Sequence, residues 1–70
     1  MQEQLDDIRD RLLGIADELA DLGMSAIQLA IDQEGTKAQR PEIEKRLTRA
    51  RRSVDKAAAI VGYRPESTTL

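Results

Sequence analysis

From Gln4 to Glu34, apolar residues recur alternately three and four places apart: Leu5, Ile8, Leu12, Ile15, Leu19, Leu22, Ala26 and Leu29. That spacing is a heptad seam along one side of a helix, of the coiled-coil kind, and no period-two strand pattern interrupts it. Gly35 stands where a C-terminal cap belongs. A short polar stretch, 35–40, follows. Pro41 then suits the first position of a second helix, with Glu42 and Glu44 favourable to the macrodipole in its first turn. Ile43, Leu47, Ala50, Val54, Ala57 and Val61 repeat the helical spacing. Gly62 reads as a left-handed cap, and Pro65 prevents continuation. The pattern predicts helices over about 4–34 and 41–61, a loop over 35–40, and one hairpin domain over 1–63. Residues 64–70 are expected to be a disordered tail.

Gly23 is the one weak point of the first helix, because an internal glycine costs about 1 kcal/mol relative to alanine. Ser25 and Gln28 just after it have capping-box spacing, so a break into three helices is the alternative. The seam passes Gly23 without a change of phase, which favours one continuous helix.

At 100° per residue the first helix carries more than one apolar face. Beside the main seam lies a second flank, Leu13, Ala20, Met24, Ile27 and Ile31. Between the two runs a line of small residues seven apart, Ala16, Gly23 and Ala30, which would suit a closely packed antiparallel interface. The remaining polar stripe (Glu3, Asp7, Asp10, Asp17, Asp21, Gln28, Asp32) is narrow. An ordinary surface helix has one apolar stripe somewhat over about 100° wide, so this helix needs more than one neighbour. The second helix has a single seam. The expected architecture is therefore all-α: an antiparallel helical hairpin that dimerises into a four-helix bundle. Its oligomer interface would draw on Leu5, Ile8, Leu12, Ile15, Ala16, Leu19, Leu22, Gly23, Ile27, Leu29 and Ala30 of the first helix. The second helix would add Ile43, Leu47, Val54 and Val61. Leu13, Met24 and Ile31, with Ile27, form the flank open to a different protein partner, and Met suits adaptable surfaces.

Length and composition strengthen the case for self-association. The chain has 70 residues, no Cys, no His and a single aromatic residue, Tyr63. A core this small rarely supplies more than about 3–5 kcal/mol, and neither disulfides nor the usual zinc ligands are present to supplement it. The net charge of −2 is divided unevenly. Residues 1–35 hold nine acids against Arg9 and Arg11, a net of −7; residues 36–70 hold nine bases against four acids, a net of +5. Opposite halves are expected to pack on each other or on each other's copies, with Arg46 and Arg51 facing acids of the first helix.

Candidate chemistry is sparse. The carboxylates line an exposed stripe, the serines and threonines lack a nearby histidine, and the glycines are isolated rather than gathered in a phosphate loop. No enzymatic activity, cofactor or metal is expected. Lys45, Arg49, Arg52 and Lys56 share one face of the second helix and could contact phosphates. A pI near 5.0 and the lack of stacking aromatics weigh against nucleic acid. The Thr68-Thr69-Leu70 end could also offer a carboxylate to a groove, although a disordered end is the simpler expectation. No segment is long and apolar enough for a membrane span, and the polar start Met1–Asp7 does not resemble a secretory signal. The expectation is a cytoplasmic adaptor acting through its helical surface and pairing with itself or another protein. A nucleic-acid-associated regulator is the alternative.

Overall fold

A computed structural model describes residues 1–37 and 39–64, and among these there are two α-helices and no strand. Helix α1 runs Gln2–Glu34 and helix α2 runs Glu42–Val61. They pack against each other as a hairpin, with a 3-10 turn at Gly35–Lys37 after α1 and an extended Pro41 before α2. At 1.5 Å per residue the 33 residues of α1 span about 50 Å.

The first helix starts two residues before the expected boundary, with the Leu5 amide donating to the Met1 carbonyl at 3.1 Å. It does not break at Gly23. That residue is buried in the line Ala16–Gly23–Ala30, where α2 crosses, so packing outweighs its poor helix propensity. The helix ends at Gly35, with φ 65° and ψ −140°, a backbone region essentially reserved for glycine. The Gly35 amide donates to the Ile31 carbonyl.

Pro41 sits one place outside α2 as its N-cap, with φ −67° and ψ 150°, rather than as the first helical residue. Its carbonyl accepts from the amides of Glu44 (3.1 Å) and Lys45 (3.2 Å). At the other end, Gly62 is not left-handed as its sequence context suggests: φ is −88°. Its smallness serves a close approach instead, since a Cβ there would lie 2.7 Å from Arg9 Cδ and 3.2 Å from the Ala58 carbonyl oxygen. Arg64 reaches back to pair with Asp6. The rest of the expected tail, residues 65–70 with its Thr68-Thr69-Leu70 end, lies outside the described residues.

The hairpin has little interior. Among the described residues Ala16 and Ala58 are the only buried apolar side chains, and no large side chain is fully buried. Leu5, Leu12, Leu19 and Ala26 of α1 and Leu47, Val54 and Val61 of α2 meet between the helices and are half-buried there. Two helices side by side each cover only a stripe of the other, so the remaining apolar positions face outward.

Candidate interaction surface

The main seam of α1 divides in two. Alternate members, Leu5, Leu12, Leu19 and Ala26, turn toward α2, while Ile8, Ile15, Leu22 and Leu29 stay exposed. Leu22 and Leu29 keep 56% and 57% of their surface exposed. On the other flank Leu13, Met24, Ile27 and Ile31 are also exposed, with Met24 the most open at 71%. Of the small-residue line, Ala16 and Gly23 are buried within the hairpin, Gly23 beneath Glu44 of α2, while Ala30 borders the loop residues Gln39, Arg40 and Pro41. The line therefore serves packing within the hairpin.

The two outward rows occupy opposite sides of the hairpin. A shallow groove of about 210 Å³ is lined by Ala20, Gly23, Met24 and Ile27 of α1 with Glu44, Thr48 and Arg51 of α2. A second hollow of about 240 Å³ continues toward the loop between Ile27, Ala30 and Ile31 and Gln39, Arg40 and Pro41. This side pairs an apolar flank of α1 with a polar flank of α2. Ile8, Ile15, Leu22 and Leu29 lie roughly opposite Met24 round α1, and Ile43, Ala50 and Ala57 lie roughly 140–180° round α2 from Thr48, at 100° per residue. Both rows thus edge the same second side, which is apolar on both helices. Ile43 is exposed there, and Ala50, Ala57 and Val61 are half-buried.

The groove side contains Glu44, the one buried charged residue among those described. Its side chain lies over Gly23, where an added Cβ would sit 3.9 Å from Glu44 Cγ. The Arg40 guanidinium binds both carboxylate oxygens, through Nε to Oε2 and through Nη2 to Oε1 at 3.3 Å. The Thr48 hydroxyl donates to Oε1 at 2.7 Å, and Arg40 Nη2 also donates to Thr48 Oγ1 at 3.1 Å. Hydrogen bonds from Arg40, then from Thr48, hold the Glu44 carboxyl below its usual range, and the same pairing raises Arg40. Every buried polar side-chain atom among the described residues is satisfied, so the network is a structural clasp between the loop, α2 and the middle of α1. From the sequence, Glu44 reads only as a first-turn acid. The four-residue spacing of Arg40, Glu44 and Thr48 was the available signal, since it puts all three on one face.

At the open end of the hairpin, Asp6 accepts from Gln2 Nε2 at 2.9 Å and pairs with Arg64 and with Arg9 (3.9 Å). The Gln2 hydrogen bond, followed by the charges of Arg64 and Arg9, holds the Asp6 carboxyl low. Arg46 and Arg51 form no ion pair with acids of α1 among the described residues, contrary to expectation; Arg46 is exposed and Arg51 lines the groove. Lys45, Arg49, Arg52 and Lys56 are all exposed on the outer face of α2, and the acidic stripe of α1 is equally open. Among the described residues no group of three or more acids is gathered to hold a metal, and no helix is long and apolar enough to cross a membrane. No protein-family model, curated protein or solved structure matches the chain.

Proposed function

We propose that the chain is a small, non-enzymatic helical interaction module that works by self-association, two hairpins forming a four-helix bundle. The observation that carries this reading is the distribution of apolar side chains. Among the described residues only two alanines are buried apolar side chains, while Ile8, Leu13, Ile15, Leu22, Met24, Leu29 and Ile31 are exposed along α1. At about 25 cal/mol per Å² such surface is a strong driving force for association. Contiguous exposed apolar surface of this kind marks interaction sites rather than an ordinary monomer exterior. One side is taken up by the second copy. The other, where Met24 and Ile31 border the groove, is the site for a different protein partner.

Two measurements test this. The thermal midpoint of an obligate dimer rises with protein concentration, so circular dichroism melts over a hundredfold concentration range should shift upward. Replacing Leu22 by Asp should abolish that dependence. Midpoints that stay constant across the range would reject the reading.

A further inference from the structure

Resting on the dimeric reading above, the geometry points to a specific arrangement. The second copy seats on the face formed by Ile8, Ile15, Leu22 and Leu29 with Ile43, Ala50 and Ala57, so that each α1 lies on its partner's α2. Of the two sides of the hairpin, only this one is apolar on both helices; the groove side presents Glu44, Thr48 and Arg51. Over the 20 residues of α2, a face two helix diameters wide offers about 600 Å² per protomer, or about 1,200 Å² in all, enough for a specific interface.

Stacking two such faces allows two antiparallel pairings: α1 on α1 with α2 on α2, or α1 on α2 of the other copy. Charge separates them. The α1 half carries −7 and the α2 half +5. Like-on-like stacking would bring Glu18 to its own symmetry mate at the middle of α1 and set the Arg46 and Arg49 edge against a second basic edge. Unlike stacking removes both conflicts. The contacts Gly23 with Glu44 and Gly62 with Arg9 fix the level of the helices. They place the exposed Glu18 near the height of the exposed Arg49 on α2. In the unlike arrangement these residues meet across the two chains, charges of opposite sign that favour the correct pairing. The shapes also agree, because the large row of α1 faces the mostly small row Ile43, Ala50 and Ala57.

The chain has no cysteine, which permits a clean crosslinking test. Glu18 and Arg49 stand on opposite outer edges of one hairpin, so a short bismaleimide can join them only between chains. The double variant Glu18→Cys with Arg49→Cys should crosslink to twice the chain mass, whereas Glu18→Cys alone should not. Efficient crosslinking of Glu18→Cys alone would show α1 on α1 and overturn the arrangement. A dimer by sedimentation that crosslinks in neither variant would overturn the choice of face. A monomer by sedimentation would instead remove the dimeric reading itself. Charge reversal provides a second readout: Glu18→Arg should weaken association about two- to thirty-fold, because a symmetric dimer contains this exposed ion pair twice, and adding Arg49→Glu should recover it. Failure of the second change to recover association would count against the pairing.

Discussion

Gly23 is buried under the Glu44 side chain, and its replacement gives a graded test of the packing. A Cβ at this position would sit 3.9 Å from Glu44 Cγ and 4.0 Å from Glu44 Oε1, which is ordinary contact. Gly23→Ala therefore adds a better helix former without a clash, a gain of about 1 kcal/mol. For a domain of this size that corresponds to about 4–8 °C in Tm. Gly14→Ala is the control: nothing lies within 4 Å of its Cβ, so it should gain a similar amount from propensity alone. Gly23→Leu has the same advantage as a helix former but must place its branched end where the Glu44 side chain now lies. Overpacking costs about 1–3 kcal/mol, and displacement of Glu44 also disturbs its bonds to Arg40 and Thr48. The Leu variant should consequently melt below the parent. The assay is thermal unfolding followed at 222 nm, all proteins at one concentration because association shifts Tm. A Leu variant as stable as the Ala variant would show that Glu44 does not cover Gly23. An Ala variant clearly less stable than the parent would show that the helices approach more closely than the structure has them.

Further expectations concern the clasp, the buried Ala58 and the outer basic face. Because the Glu44 carboxyl is held below its ordinary value of 4.5 in the folded chain, its contribution is fully present above that pH and disappears as pH falls through the lowered value. The Tm of the parent should drop in acid more steeply than that of Glu44→Gln; parallel curves would show that the clasp contributes nothing. Ala58 is 1% exposed, so Ala58→Leu should lower stability by about 1–3 kcal/mol in a denaturant titration, and an unchanged midpoint would contradict the described contact. Duplex DNA should not bind measurably at about 50 mM salt. Steeply salt-dependent binding that Arg49→Glu with Arg52→Glu abolishes would assign Lys45, Arg49, Arg52 and Lys56 to phosphate contact.

The two helices were legible because their signals are local. Heptad spacing, Gly35 after Glu34 and Pro41 before Glu42 bracket both helices to within two residues. What spacing alone could not resolve is which apolar residues are used within the chain. A single neighbour covers one stripe, so the seam that reads as one unit, Leu5 to Leu29, divides into an inner row and an outer row only when α2 is in place. Spacing places the small residues at an interface between chains, whereas Ala16 and Gly23 are already buried within one hairpin, Gly23 beneath Glu44 of α2. Gly62 was read from its neighbours as a left-handed cap, but the constraint there is steric and comes from Arg9, fifty-three residues earlier in the sequence. The Glu44 clasp is hard to see in the sequence for a similar reason. Its burial depends on a glycine in the other helix, and a glutamate in a first helical turn already has an adequate local explanation.

The central claim is that α1 carries too much apolar surface for one neighbouring helix to cover. Sedimentation equilibrium of the purified chain tests it most directly. The account predicts a species of twice the 7.8 kDa chain mass that dissociates on dilution together with loss of helix. A folded, helical particle that remains at the mass of one chain up to the highest soluble concentration would contradict it.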